Sequence, residues 1–352
     1  MDRLERFVGC LLGGAVGDAL GAAVEFWSLD QIRAHFGEAG VTDLVPAYGG
    51  LGRITDDTQM SLFTAEGLLR AFVRAEAKGL ADAPALVLGA YYRWLSTQGE
   101  KPPWQDSADG WLVTHRELHA RRAPGNACLS ALRTGRYATR SEPMNDRKGC
   151  GGMMRIAPVG LLALDSFELG ADVAALTHGH PTGYLTAGAL ALIIRQVVRD
   201  WPLSEAIALA SQRLCDEKGA AETIEAIDLA VELAGSGLPA TPETVARLGE
   251  GWIAEECLAI SLYCTLVAND YRHGVLLAVN HSGDSDSTGA VTGNLLGAIH
   301  GVHAIPQEWV SKIELADVIE ELATDLYTVA SGDAPSEDDP SFQSWWLKYP
   351  GW

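Results

Sequence analysis

The chain has 352 residues, 47% of them hydrophobic, and a formal net charge of −20. That length and apolar content suffice for a large core, and so acidic a surface repels phosphate backbones, which argues against nucleic acid as a partner. Six scattered cysteines without a C-x-x-C pair (Cys10, Cys128, Cys150, Cys215, Cys257, Cys264) give neither a zinc knuckle nor a disulfide framework, and suit a reducing cytoplasm.

The apolar run Phe7 to Val16 is flanked by Asp2, Glu5, Asp18 and Glu25. No run reaches the ~18 residues of a membrane span, so no membrane partner is expected. The first helix is expected from about Leu4 to Ala23, with glycines at Gly9, Gly13, Gly17 and Gly21. Near the other end Gly289, Gly293, Gly297 and Gly301 repeat the spacing. Such spacing places each set on one helix face. Interior glycine costs a helix about 1 kcal/mol relative to alanine. The expectation is that these two helices meet closely and bring Asp18 and Glu25 near Asp284 and Asp286.

Residues 28 to 54 read as irregular, with Pro46 and Gly49-Gly50. Thr55-Asp56-Asp57-Thr58 opens a helix to about Ala77, and another spans about Pro84 to Leu95. A long loop follows, Ser96 to about Gly110, carrying Trp104, Asp106 and Asp109. Pro124-Gly125-Asn126 turns into a short helix.

Gly149-Cys150-Gly151-Gly152-Met153-Met154-Arg155 reads as a glycine-rich loop, either a phosphate-cradling nest or a plain tight turn. Helices are expected at about 168–177, 183–200, 204–216 and 221–234. Between the first two lies Thr177-His178-Gly179-His180-Pro181, whose histidines read as structural groups or as ligands. Leu258, Leu262 and Leu266 mark a further helix.

His281-Ser282-Gly283-Asp284-Ser285-Asp286-Ser287-Thr288-Gly289 precedes a helix expected from about Ala290 to Val302. Its paired aspartates read as an acidic helix cap. With the similar stretch at Thr55 they also read as half of a hard-cation site. Residues 331–352 form an acidic tail whose aromatic end, Trp345-Trp346 and Trp352, is expected to dock on a body spanning 1–330. Strand signals are scarce, and the expected class is all-α.

Five of these motifs, in this order, resemble the ADP-ribosylglycohydrolase family: Gly17-Asp18-Ala19-Leu20-Gly21 with Glu25, Thr55 to Thr58, Gly149 to Arg155, Thr177 to Pro181, and Gly283 to Ser287. The resemblance implies an all-α orthogonal bundle whose cleft holds two Mg²⁺ or Mn²⁺. It also implies hydrolysis of the glycosidic bond joining ADP-ribose to a protein side chain. By motif, Thr55, Asp56, Asp57, Asp284, Asp286 and Ser287 would ligate the metals and Glu25 would be catalytic. The loop Gly149, Cys150, Gly151, Gly152, Met153 and Met154, with His178, would hold the pyrophosphate and distal ADP-ribose. The family more often has threonine at Ser287 and asparagine at Cys150.

Asp109 is the candidate to hold a leaving guanidinium, with Asp106 as rival and a plain Asp-Gly turn as the alternative. The stretch Arg121 to Leu132 resembles arginine-directed relatives, so the expected substrate is ADP-ribosyl-arginine on a protein modified by an ADP-ribosylating enzyme or toxin. Competing readings are a non-catalytic ADP-ribose-binding relative, a hydrolase of another ADP-ribosyl linkage and a metal-dependent phosphatase.

Overall fold

Helix α1 (Arg3–Gly21) begins where Asp2 accepts a hydrogen bond from the Leu4 amide, and buries every residue from Phe7 to Gly21. A computed structural model describes residues 2–103 and 109–351. After α1 come α2 (Leu29–Phe36), α3 (Asp56–Lys78), α4 (Ala83–Thr97) and α5 (Asn126–Arg133). The middle of the chain holds α6 (Ala157–Leu162), α7 (Ser166–Ala175), α8 (Pro181–Val197), α9 (Leu203–Leu214), α10 (Ala221–Gly235) and α11 (Pro242–Val245). It closes with α12 (Ala254–Leu266), α13 (Tyr271–Val279), α14 (Ser285–His300), α15 (Gln307–Val310), α16 (Ala316–Ser331) and α17 (Phe342–Lys348). The fold is all-α. Among the described residues, β-pairing is limited to isolated bridges, at Ala47–Gly50 and Gly149–Ile253.

The axis of the bundle is the antiparallel pair α1 and α14. A Cβ built at Gly17 would lie 2.0 Å from the Gly289 carbonyl oxygen, and one at Gly13 would lie 2.4 Å from that of Gly293. Gly9 meets Gly297 in the same way. Backbone therefore packs on backbone over three successive turns, and the helix-propensity cost of glycine is offset by close packing. Tyr271 on α13 braces the pair by donating to the Gly13 carbonyl oxygen.

Two readings depart from expectation. Residues 28–54 read as irregular, yet Leu29–Phe36 forms α2, opened by a capping box between Ser28 and Gln31 that a short helix with one buried apolar residue did not advertise. A helix boundary also shifts. Helix α14 starts at Ser285, five residues before Ala290, so Asp286 and Ser287 lie in its first turn. Asp284 sits at the N-cap position, but its side chain makes no cap hydrogen bond. The acidic-cap reading thus fails for Asp284: its carboxylate is aimed away from the helix amides.

The end of the chain packs on the body. Tyr349 is fully buried, Trp345 stacks edge-on to Phe72 of α3, and Arg70 and Arg74 donate to the carbonyl oxygens of Pro350 and Gly351. Trp352 lies outside the described residues.

Candidate active site

Three helix ends converge on one cleft. The C-terminal end of α1 and the turn after it supply Asp18 and Glu25. The start of α3 supplies Thr55, Asp56 and Asp57, and the start of α14 supplies Asp284, Asp286 and Ser287. Carboxylate oxygens of Glu25, Asp284 and Asp286 lie within 4.8 Å of one another. Glu25, Asp56, Asp57, Asp284 and Ser287 border a cavity of about 610 Å³, and Thr55 and Asp286 are buried beside them.

The cluster is electrostatically loaded. Burial, reinforced by Asp286, raises the carboxyls of Asp18, Glu25, Asp56, Asp57 and Asp284, and burial raises Asp286 itself. Among the described residues bordering the cavity, Arg121 is the sole lysine or arginine, and its guanidinium is paired to Glu100. Two oxygens stand out: Asp57 Oδ1 and Glu25 Oε2 are buried with no hydrogen-bond partner. An orphan acceptor of this kind is costly unless something electropositive faces it.

Asp18 plays a different part. Its carboxylate accepts from the Thr55 amide, the Thr58 amide and the Thr58 hydroxyl. It is saturated by these donors and pins α1 to the start of α3. The same stretch is held from outside by a pair invisible in the sequence. Arg122 donates to the Ile54 carbonyl oxygen and forms a buried ion pair with Glu314.

The glycine-rich stretch is a 3₁₀ turn, Cys150–Gly152. The Cys150 amide donates to the Trp252 carbonyl oxygen, while the Met153 and Met154 amides both donate to the Cys150 carbonyl oxygen. Those three amides are therefore not offered to a phosphate, which corrects the nest expectation for Cys150, Met153 and Met154. Met153 is buried in the core and Gly152 packs against the His178 ring. Gly149, Cys150, Gly151, Met154 and His178 do border the cavity. The Cys150 sulfur points at the acidic cluster, 2.7 Å from Asp284 Oδ2 and 3.5 Å from Ser287 Oγ.

The two histidines separate. His180 caps α8 by accepting from the Thr182 amide. His178 borders the cavity, and its Nδ1 lies 2.8 Å from Thr177 Oγ1. That hydroxyl accepts from the buried Arg155 guanidinium; when its own proton turns to Nδ1, the imidazole carries its proton on Nε2. Burial, then Arg155, pushes the His178 pKa down to about 3, so the ring is neutral.

Asp109 is a correction. Its carboxylate lies 3.6 Å from Arg70 Nη1, and its carbonyl oxygen accepts from Arg70 Nη2. Arg70 is 13 residues beyond Asp57 on α3, about 20 Å along the axis at 1.5 Å per residue. Asp109 therefore serves the turn at Gly110, which fits tightly on Arg70 and Glu66, and does not border the cleft. Its rival Asp106 lies outside the described residues.

The sequence reading also missed the mouth. Phe26, exposed and with a positive φ of 71°, stacks on Trp252 at 5.3 Å. Both border the cavity, as do Pro124, Gly125 and Asn126. Single aromatics in irregular segments gave no periodic signal.

A family model described as ADP-ribosylglycohydrolase matches residues 1–335. The chain is 28% identical over 336 residues to the ADP-ribosyl-[dinitrogen reductase] glycohydrolase of Rhodospirillum rubrum, covering 88% of this chain and 91% of that protein. It is 27% identical over 332 residues to the ADP-ribosylarginine hydrolase Tri1 of Pseudomonas putida, covering 92% and 78%. A solved structure described as an ADP-ribosylglycohydrolase-related protein complex superposes with a TM-score of 0.60 at 28% identity, covering 94% of this chain and 99% of that one.

Proposed function

The chain belongs to the ADP-ribosylglycohydrolase family, and from that premise we propose that it is a metal-dependent hydrolase that removes ADP-ribose from modified protein side chains, with arginine as the preferred linkage. The observation that carries the metal reading is the buried carboxylate cluster with its orphaned Asp57 Oδ1 and Glu25 Oε2. Carboxylate and hydroxyl oxygens in this number suit Mg²⁺ or Mn²⁺, whose charge would relieve the repulsion. Thr55, Asp56, Asp57, Asp284, Asp286 and Ser287 would hold the ions. When bound, such ions orient ribose hydroxyls and lower the pKa of water.

The chain's own groups divide the remaining work. His178, neutral with its proton on Nε2, donates to the distal part of ADP-ribose. Phe26 and Trp252 give the mouth an apolar wall for a base. At the ribose C1, the bond to water oxygen forms as the bond to the side-chain nitrogen breaks, with positive charge developing on the sugar. Glu25 Oε2 takes the water proton, and the departing guanidine nitrogen takes up a proton in turn. An acidic cleft favours a cationic guanidinium over a neutral hydroxyl, and the Pseudomonas putida relative, an ADP-ribosylarginine hydrolase, points to the same linkage.

The test is release of ADP-ribose from arginine-, serine- and glutamate-linked substrates, with and without EDTA. Arginine-linked substrate is expected to turn over fastest, and chelation to abolish it. Turnover that survives exhaustive chelation overturns the metal reading. Faster cleavage of the serine linkage overturns the specificity, and release of phosphate in place of ADP-ribose moves the protein to another reaction class.

A further inference from the structure

We infer that Cys150 is a thiolate ligand of the divalent ion held at Asp284 and Ser287, so that this cleft prefers thiophilic cations such as Zn²⁺, Co²⁺ and Cd²⁺ over Mg²⁺. The inference rests on the metal reading above and adds a donor that the carboxylate and hydroxyl ligand set does not contain.

Geometry comes first. The Cys150 backbone is fixed at both ends of its peptide: the amide donates to Trp252, and the carbonyl oxygen accepts from Met153 and Met154 at 2.7 and 3.0 Å. The sulfur keeps only its χ1 rotation. Its sulfur is 2.7 Å from Asp284 Oδ2 and 3.5 Å from Ser287 Oγ. Donors on adjacent corners around one ion, with metal–oxygen near 2.1 Å and metal–sulfur near 2.3 Å, lie roughly 3.0–3.5 Å apart. The Ser287 separation matches that edge; the Asp284 contact is a hydrogen bond donated by the thiol, shorter than the edge, and opens when an ion replaces the proton. Cys150 Sγ, Asp284 Oδ2 and Ser287 Oγ thus form one face of a coordination polyhedron.

A second observation is independent of the cysteine. Asp57, which also borders the cavity, is 3% exposed and its Oδ1 has no partner. That oxygen supplies a further donor already stripped of water.

Chemistry sets the preference. Thiolate is a soft ligand that favours zinc and its neighbours, whereas Mg²⁺ takes oxygen and keeps its own waters. On binding, the sulfur lone pair forms the bond to the ion and the thiol proton leaves to bulk water. Among the other cysteines, Cys10, Cys128, Cys257 and Cys264 are buried and Cys215 is exposed. Cys128 faces the Gly151 carbonyl and Arg155.

The experiment uses the full chain carrying Cys215→Ser, which removes the exposed thiol. Co²⁺ and Cd²⁺ are titrated in, followed by thiolate-to-metal charge-transfer absorption and by ¹¹³Cd NMR. A stoichiometric charge-transfer band is expected, lost on Cys150→Ser. The ratio of Cd²⁺ to Mg²⁺ affinity should fall at least tenfold in that variant, with Mg²⁺ affinity changing less than threefold. If Cys150→Ser does not fold, alkylation of Cys150 by iodoacetamide, read by mass spectrometry, decides: bound Cd²⁺ should protect it and Mg²⁺ should not. Stoichiometric Co²⁺ binding that is lost on Asp284→Asn yet shows no thiolate band overturns the role of Cys150 and leaves the metal reading standing. Failure of any divalent ion to bind overturns both.

Discussion

Asp286 is the residue through which most of the cleft's repulsion passes, since it raises the carboxyls of Asp18, Glu25, Asp56, Asp57 and Asp284. Two effects of Asp286→Asn therefore have opposite signs. Removing a ligand charge should weaken divalent-ion affinity by at least an order of magnitude and reduce turnover to background. Removing one buried like charge should leave the metal-free protein no less stable than wild type. Metal content after dialysis and the melting temperature in EDTA check the pair; a lower melting temperature would show that repulsion is not what the cluster stores. His178 gives a pH prediction. Its folded pKa is depressed to about 3 and its unfolded value is ordinary, near 6.5. Below pH ~6.5 the unfolded chain binds a proton that the folded chain refuses, so stability is lost as pH falls toward 3, at up to about 1.4 kcal/mol per pH unit. The difference between wild type and His178→Gln, measured by urea unfolding in EDTA from pH 7 to 5, isolates that slope. Long-range ¹H–¹⁵N spectra should show the proton on Nε2.

At the scale of elements, α1 and α14 form the part of the fold most sensitive to a single carbon. A Cβ at Gly17 or Gly293 would lie 2.0 or 2.1 Å from a carbonyl oxygen of the opposite helix. Neither backbone can yield without moving Asp18 or Asp286. Gly17→Ala and Gly293→Ala should each lower stability by about 1–3 kcal/mol or more, and weaken metal binding with it. Gly89 on α4 is the control: a Cβ there meets nothing nearer than Arg93 Nη1 at 3.7 Å. Gly89→Ala should be neutral or stabilising by about 0.5–1 kcal/mol, because alanine is the better helix former. Denaturant midpoints for the three variants test the contrast. If all three behave alike, close helix contact is not what retains the glycines.

For the whole molecule, one network of buried residues extends from Phe7 on α1 to Tyr349 at the end of the chain. The final segment is part of that network. Tyr349 fills a site against Trp111 and Trp345, and Lys348 reaches Glu321 and Asp325 on α16. Replacing a fully buried aromatic ring by alanine costs about 3–5 kcal/mol, and Tyr349→Ala should approach that loss. Truncation after Gly332 should also free Arg70 and Arg74 from their carbonyl partners and loosen the turn at Asp109 and Gly110. Metal affinity should change little, because Arg70 lies far along α3 from Asp57. Calorimetry and metal titration on the truncated chain test both statements.

Local pattern was enough for some of this. Helices are written in periodic apolar faces, and the glycine faces of α1 and α14 in a strict four-residue spacing, so both were legible before any fold was known. The acidic stretches at Asp56-Asp57 and Asp284-Asp286 were equally plain, and the glycine pairing alone implied that Glu25 and Asp284 would be neighbours. Tertiary structure decided what depends on direction and on distant partners. Asp18 and Glu25 look alike in sequence, yet three donors from the α3 start saturate the first and none reaches Oε2 of the second. Arg122 and Glu314 meet across 192 positions, a pairing that no local window contains. Asp109 stood in a loop long enough to reach a cleft, and a buried arginine one helix away took it instead. Charge in a low-dielectric interior goes to the counter-charge that packing places beside it, and that placement is a property of the folded chain.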